Sequence, residues 1–273
     1  MPLRVLLLSL LSLALVAGCS GGPRHGADFD PSDPFASQRS EQSAEEMYQE
    51  ARRLLDRRNY RGAAEQLEDL QARYPFGSYF RQAQLDLIYA HYKAWEMGAA
   101  ISAADRFMRL HPQDPNVAYA LYMRGLANLE RGNDFLTRTF RIDRRTRDPE
   151  PARQAFRDLS ELVERFPDSK YAEDAQERMV DLRKHLAHHE LHVAQYYVKR
   201  GAYVAAANRS MAIIENYQGT PAVHDALGIL ADAYQELELD DLRQDVVRVI
   251  QENYPDHPTL QPGVFERLTG EEG

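Results

Sequence analysis

The stretch Leu70–Gln84, LQARYPFGSYFRQAQ, has the pattern of a helix end, a proline turn and a new helix start. An apolar helical run ends at Tyr74, Pro75 follows, and helix-forming residues resume after a short turn. Because proline cannot continue a helix and disfavours helical conformation in the residue before it, the segment predicts two consecutive helices.

The same arrangement recurs along the chain. The equivalent segments are FMRLHPQDPNVAYA (107–120), LVERFPDSKYAEDA (162–175), IIENYQGTPAVHDA (213–226) and VIQENYPDHP (249–258). The turn positions are Pro75, Pro112, Pro167, Gln218 and Pro255, at spacings of 37, 55, 51 and 37 residues. Helix hairpins at such intervals resemble the tetratricopeptide pattern, and they predict an all-α solenoid of about five hairpins.

Small and apolar residues hold the same positions before each turn. They are Ala63, Leu67 and Leu70; Ala100, Ala104 and Phe107; Ala155, Leu159 and Leu162; and Ala206 and Ile213. First helices likewise pair a small residue with Leu or an aromatic, as in Ala51 with Leu54 and Ala231 with Tyr234. Arg243 takes the small-residue position of the last repeat, which predicts looser packing there.

The two long spacings indicate where the solenoid contains extra residues. Residues 132–151 form an Arg-rich, proline-bounded insertion, whereas residues 171–200 keep helical spacing without a breaker. Thirty helical residues span about 45 Å, so we expect one long first helix that projects from the array. The solenoid is expected over 44–255, with ordered helices from Ala44 to Tyr254 and an irregular tail over 256–273.

The only cysteine, Cys19, lies in the sequence VAGC after a twelve-residue apolar run that follows Arg4. Such a run is too short to cross about 30 Å of hydrocarbon, so residues 1–18 are interpreted as an export signal. The VAGC sequence resembles a bacterial lipoprotein box, which implies acylation of Cys19; an incidental cysteine behind an ordinary signal is the alternative. By the same resemblance, Ser20 implies the outer membrane, facing the periplasm. Residues 19–43 are predicted to be a flexible tether.

The composition argues against several function classes. The formal net charge is −9, and −10 without Arg4, which disfavours general nucleic-acid binding. Five arginines lie between residues 138 and 147, and Asp134, Asp143, Asp148 and Glu150 are interleaved with them, as in a salt-bridged loop. The sequence contains no phosphate-binding glycine loop, nucleophile elbow or Cys/His pair, so we expect no enzyme and no cofactor.

Histidines four apart on the predicted long helix could chelate a divalent ion. The pairs are His185 with His189 and His188 with His192. No third ligand has zinc-site spacing, so exposed or packing histidines are the favoured interpretation, and no metal is predicted.

Tyrosines are the candidate binding residues. The repeats are aligned by placing Ala51 and Gly125 at the small position of their first helices and by placing repeat two by its proline. In this alignment five tyrosines face the concave side of the solenoid, which the first helices line: Tyr48, Tyr89, Tyr92, Tyr119 and Tyr122. They offer apolar area with a polar tip, suited to an extended, aromatic-rich peptide, and Arg52 and Lys93 beside them could bind a carboxylate. The alternative is that the rings pack between helices.

Four segments together with the lipid box resemble one family over essentially the whole mature chain. They are RYPFGSYFRQAQLDLIYAHYK (73–93), DRFMRLHPQDPNVAYALYMRGL (105–126), FRIDRRTRDP (140–149) and YYVKRGAYVAAANR (196–209). The chain resembles the BamD family of lipoproteins of the outer membrane β-barrel assembly machinery, the BAM complex.

The resemblance implies a non-enzymatic subunit. N-terminal repeats would bind the C-terminal signal of unfolded outer membrane proteins, and C-terminal repeats would bind the periplasmic domains of BamA and other BAM lipoproteins. The family's N-R dipeptide, implicated in the BamA contact, matches Arg209, although Ser210 follows here. Two alternatives remain: a cell-wall-associated or DNA-uptake (competence-type) lipoprotein, and a metal-dependent enzyme on the histidine helix.

Overall fold

The computed structural model describes residues 42–131 and 148–260. Those two ranges contain α-helices and one 3₁₀ turn, with no strand. The helices are α1 (Ala44–Asp56), α2 (Tyr60–Arg73), α3 (Phe80–Lys93), α4 (Met97–Leu110), α5 (Val117–Arg131), α6 (Glu150–Arg165), α7 (Ala172–Lys199), α8 (Tyr203–Asn216), α9 (Ala222–Glu236) and α10 (Asp240–Asn253).

The helices pack in chain order, each against the next. First helices of neighbouring repeats also touch, since α3 packs on α5 and α7 packs on α9. Odd-numbered helices are therefore the first helices and even-numbered helices the second helices of five hairpins. The predicted all-α class and tetratricopeptide-like hairpin array are confirmed.

The small and apolar second-helix positions form the core. All eleven residues predicted from the turn offsets are fully buried at 0% exposure. Gly125 on α5 shows how close the helices come, because a Cβ there would lie 2.9 Å from Cδ2 of Leu159 on α6. A larger residue at position 125 would force the fully buried Leu159 side chain to shift.

The turn from first to second helix uses one backbone device in four repeats. A residue with positive φ follows the first helix: Arg58 (61°), Trp95 (63°), Gly201 (69°) and Glu238 (57°). Its N–H and the next N–H bond back to carbonyls of the helix end, as in the pair Arg58 to Leu55 and Asn59 to Leu54, both 2.9 Å. This is a left-handed helix cap that glycine adopts most easily.

The buried side chains form two main clusters, which we name the N-terminal core and the C-terminal core. The N-terminal core runs from Met47 to Leu182, and the C-terminal core from Ala187 to Ile250. Helix α7 contributes to both, through Ala175 and Leu182 in one and Leu191 and Ala194 in the other.

The expectation that the long helix projects from the array is therefore wrong. At 28 residues α7 is as long as the spacing suggests, but its two halves are buried by different neighbours. Its first half packs with α6, and α8 and α9 cover its second half. Periodicity predicted the helix but carried no information on what would cover it.

The described helices begin at Ala44 and end at Asn253, followed by a 3₁₀ turn at Pro258–Leu260 that lies against α9 and α10. His257 is buried there, and its Nε2 donates to the carbonyl of His224 at 3.0 Å. The predicted signal, Cys19 and nearly all of the tether, most of the insertion, and the tail from residue 261 lie outside the described residues. Within the described ranges no helix is long and apolar enough to span a membrane.

Candidate functional site

Tyr48 and Arg52 on α1 meet a carboxylate of the next first helix. The Tyr48 hydroxyl donates to Asp86 Oδ2 on α3 at 2.8 Å, and Arg52 Nη1 lies 3.5 Å from the same oxygen. The Tyr48 ring also stacks on Tyr79, the N-cap residue of α3, with centroids 5.1 Å apart. The two predicted residues are thus brought together, at the junction of repeats one and two.

Tyr122 on α5 makes the same arrangement two repeats later. Its hydroxyl donates to Asp174 Oδ2 on α7 at 2.6 Å, and its ring stacks on Tyr171, the N-cap residue of α7, at 4.9 Å. Arg178 also bonds Asp174, and this guanidinium, followed by the Tyr122 hydroxyl, holds the pKa of Asp174 below its usual range. Tyr119 lies beside the pair, with its centroid 5.8 Å from that of Tyr171.

We name these rings the tyrosine surface: Tyr48, Tyr79, Tyr119, Tyr122 and Tyr171. All five are half-buried. Burial first, and then the Asp86 carboxylate, raises the pKa of Tyr48 to about 12. Burial likewise raises the pKa of Tyr119 and of Tyr122. The hydroxyls of Tyr48, Tyr119 and Tyr122 therefore stay neutral near pH 7 and give the apolar surface polar tips.

Tyr89 and Lys93 lie in a second group, with Tyr60 of the second helix α2. Tyr89 is 38% exposed and packs edge-on against Tyr60 at 6.1 Å. Lys93 Nζ lies 5.8 Å from the Tyr60 centroid and 6.0 Å from that of Tyr89. This is cation–π geometry on an exposed surface.

Tyr92 packs inward. It is half-buried against a small cluster formed by Met97, Ala100 and Ala127. Burial first, and then the charge of Glu130, raises the pKa of its hydroxyl.

The sequence left open whether the tyrosines face a ligand or pack between helices, and the structure shows packing for some rings and exposure for one. Tyr48 and Tyr122 stack and hydrogen-bond across repeat junctions. Tyr89, by contrast, is the most exposed of the predicted rings.

The partners of these tyrosines were missed from the sequence. They are Asp86, Asp174, Tyr79 and Tyr171. A usable signal was the tyrosine four residues after the turn proline in two repeats, since Tyr79 follows Pro75 and Tyr171 follows Pro167 at this distance. Because both turns end at the N-cap of the next first helix, equal spacing from the proline indicates equivalent positions.

Arg209 on α8 is held by a buried carboxylate. Its Nη1 lies 2.7 Å from Oε2 of Glu190 on α7, and the other oxygen of Glu190 accepts from Arg153 Nη2 on α6 at 2.8 Å. The Glu190 side chain is 8% exposed, whereas those of Arg153 and Arg209 are 38% and 45% exposed. The family resemblance identified Arg209 but neither partner, and these lie 19 and 56 residues away.

The histidine helix forms no cluster that resembles a metal site. Among the described residues, no group of three or more His, Cys, Asp or Glu side chains converges as a metal site requires. His185 and His189 lie on the middle of α7 and are both partly buried. The remaining candidate, Cys19, lies outside the described residues.

Comparisons with known proteins agree on one family. A family model named YfiO, described as an outer membrane lipoprotein, matches residues 40–249. The outer membrane protein assembly factor BamD of Neisseria gonorrhoeae is 44% identical over 257 residues, covering 94% of this chain and 93% of that protein. The protein of the same name from Vibrio cholerae is 40% identical over 244 residues, covering 89% of this chain and 96% of that protein. A third, from Xylella fastidiosa (strain Temecula1), is 35% identical over 260 residues, covering 95% and 85%. On the matched length and identity, the chain belongs to the BamD family of outer membrane protein assembly factors.

Proposed function

We propose that the chain is a lipid-anchored scaffold of the BAM complex, and that it binds unfolded outer membrane proteins and the insertase BamA. Its relatives are named outer membrane protein assembly factors, and the matching family model describes an outer membrane lipoprotein. Those names support a role in assembly at the outer membrane alongside other BAM subunits. Lipid on Cys19 would hold the domain at the periplasmic face, since acyl chains on one residue anchor a protein firmly.

The observation that carries the substrate role is the tyrosine surface, which spans the junctions of first helices α1 with α3 and α5 with α7. Fixed rings offer a binding peptide apolar area at low entropic loss, because stacking and hydroxyl bonds already orient them. Tyr89 and Lys93 extend this surface with an exposed ring and an ammonium group. An extended segment ending in an aromatic residue and a carboxylate has chemistry that fits both.

A peptide crosslinking experiment tests the substrate role. The C-terminal peptide of a β-barrel protein, carrying a photoreactive group, is mixed with the mature chain and with the double variant Tyr89→Ala/Tyr122→Ala. We expect the double variant to lose most of the crosslink while its helicity by circular dichroism is retained. Tyr196→Ala is the matched control, because Tyr196 is 49% exposed on α7 and contacts Tyr197 and Arg200 instead of the tyrosine surface.

The outcome separates two roles for the rings. An unchanged crosslink in the folded double variant would mean that the tyrosines are structural and that the peptide binds elsewhere. A loss in Tyr196→Ala of the same size would mean that any exposed ring serves, which contradicts a dedicated surface.

The BamA role rests on Arg209, whose side chain is partly exposed at the junction of α7 and α8. Arg209→Glu is expected to reduce co-purification of BamA with the chain from detergent-solubilised membranes. Full retention would remove Arg209 from the interface.

Recovery of the wild-type chain on peptidoglycan or DNA without any BAM subunit would instead support the cell-wall or DNA-uptake alternative.

The anchor and the non-enzymatic role have simple tests. Mass spectrometry of the mature N-terminus is expected to find acylated Cys19, and a bare cysteine would contradict the anchor.

Replacing His185 and His189 together by Gln is expected to leave growth and metal content unchanged. A loss of bound metal together with a growth defect would revive the metal-enzyme alternative.

A further inference from the structure

We infer that Arg153 and Arg209 form one two-guanidinium receptor for an acidic side chain of a protein partner, and that Glu190 is the residue that positions both. This inference rests on the proposed function only in taking BamA as the partner to be tested. Arg153 belongs to the third repeat and Glu190 to the fourth.

The geometry is that of a shared carboxylate. Each oxygen of Glu190 accepts from a different arginine, at 2.8 Å from Arg153 and 2.7 Å from Arg209. The carboxylate is buried at 8% exposure and lies on the middle of α7, packed between α6 and α8. The buried Glu190 carboxylate therefore holds both guanidinium groups from their protein-facing side.

The exposed sides of the arginines remain able to bind. A guanidinium carries five N–H donors, and Glu190 uses one hydrogen bond from each. Arg153 has one further carboxylate nearby, Glu150 Oε2 at 4.0 Å, on the exposed side of α6. More than a third of each arginine side chain is open to solvent.

The charge of the group selects an anion. Counted with Glu150 and the Arg157 that pairs with it, the group has three guanidinium groups and two carboxylates, a local charge of about +1 on a chain whose formal net charge is −9. Planar N–H forks match the two oxygens of a carboxylate, and pairing arginines that are already oriented loses less entropy than pairing free surface side chains. An Asp or Glu of a folded partner is the occupant that this chemistry favours.

The location adds a structural condition. Arg153 is on α6, which packs with the N-terminal core, whereas Arg209 is on α8 in the C-terminal core. Glu190 on α7 joins them, so the receptor exists only where the third and fourth repeats are stacked. A partner bound there would contact helices of both cores at once.

The test measures affinity of the purified, full mature chain for the BamA periplasmic domains by titration calorimetry at low and moderate salt. Arg153→Met and Glu190→Gln are each expected to raise the Kd about tenfold. The salt dependence should weaken in Arg153→Met, which loses a positive charge, but not in Glu190→Gln, which loses a negative one. Arg157→Met, one turn further along α6 and bonded to Glu150, is the matched control and should change the Kd less than about twofold.

A double-variant comparison distinguishes positioning from a general effect on folding. In the Arg153→Met/Arg209→Met background, Glu190→Gln should no longer alter the Kd, because there is nothing left to position. A persistent loss in that background, or an unchanged Kd for folded Arg153→Met, would overturn the inference. Absence of BamA binding by the wild-type chain would instead overturn the proposed function, and Arg209→Glu tests that function independently of Arg153.

Discussion

The equivalent first helices α3 and α9 bury different kinds of residue. The buried face of α3 in the N-terminal core includes Gln84, Asp86 and His91, each bonded to a neighbouring element. The buried residues of α9 in the C-terminal core are alanine, valine, leucine, isoleucine and one glycine. The buried face of α3 therefore combines hydrogen-bonded polar side chains with apolar packing, whereas that of α9 is apolar throughout.

This difference matches the positions of the candidate sites. Directed polar contacts fix the tyrosines of the N-terminal core in one orientation, which is what a binding surface requires. The C-terminal half has its own polar contacts, which include the Arg153–Glu190–Arg209 group and the bond from buried His257 to the carbonyl of His224.

The largest expected effect tests whether the two cores unfold separately. Leu162→Ala and Ile213→Ala are a matched pair, because both side chains are fully buried five residues before a turn position. Each should lower the free energy of unfolding by about 2–5 kcal/mol through lost burial and a cavity. Amide hydrogen exchange should lose protection mainly within the core that carries the change. Equal loss in both cores for both variants would show a single cooperative unit.

A smaller effect is expected from the tyrosine hydroxyls. Tyr48→Phe and Tyr122→Phe keep the stacked rings and remove the bonds to Asp86 and Asp174, so each should lower the free energy of unfolding by about 1 kcal/mol. The control is Tyr234→Phe in the C-terminal core, whose hydroxyl makes a long contact with the sulfur of Met211 at 3.5 Å. That change should cost less than about 0.5 kcal/mol by chemical denaturation. Equal losses for all three would remove the contrast between the cores.

The C-terminal core contains one acid whose charge is disfavoured. Burial is the main cause that raises the pKa of Asp232 to about 6. The positive charge of Arg243 opposes this rise, and the negative charge of Glu236 adds to it. Because the folded pKa exceeds the unfolded one, Asp232 favours folding at pH 4, and this contribution is lost as the pH rises through about 6. Asp232→Asn should therefore raise stability at pH 7.5 by about 1 kcal/mol after allowance for screening, and by almost nothing at pH 4. Thermal melts of both proteins at the two pH values measure this, and a pH-independent difference would contradict it.

The smallest effect concerns a backbone feature that both cores share. Trp95→Gly and Glu238→Gly should each relieve a positive φ and raise the free energy of unfolding by about 0.5 kcal/mol, one in each half. Gly201→Ala, at the same turn position, should lower it by a similar amount or more. A drop in stability for Trp95→Gly would show that contacts of its side chain outweigh the relief of the turn.

Much of the fold could be predicted from the sequence because prolines mark the helix ends. Counting back from Pro75 or Pro167 identified the second-helix core, including Leu67 and Leu159, since packing between helices repeats at fixed offsets. Arg243 was expected to loosen the last repeat. It lies half-buried near Asp232, where its charge opposes the rise in the pKa of that acid.

The site was harder to predict, since its contacts join distant residues. Tyr48 donates a hydrogen bond to Asp86, 38 residues away, and Tyr122 donates one to Asp174, 52 residues away. Periodicity gives the face of a helix but not which residue of the next repeat meets it. The same limit hid Glu190 and the covering of α7 by two different cores.

Site-specific photocrosslinking in the intact membrane complex tests the central claim most directly, namely that the two halves bind different partners. A photoreactive residue is placed at Tyr89 in one variant and at Asn208, exposed beside Arg209, in another. The account predicts that the probe at 89 captures newly made β-barrel proteins and the probe at 208 captures BamA. Capture of BamA at 89 and of substrate at 208, or of neither partner at either position, would contradict it.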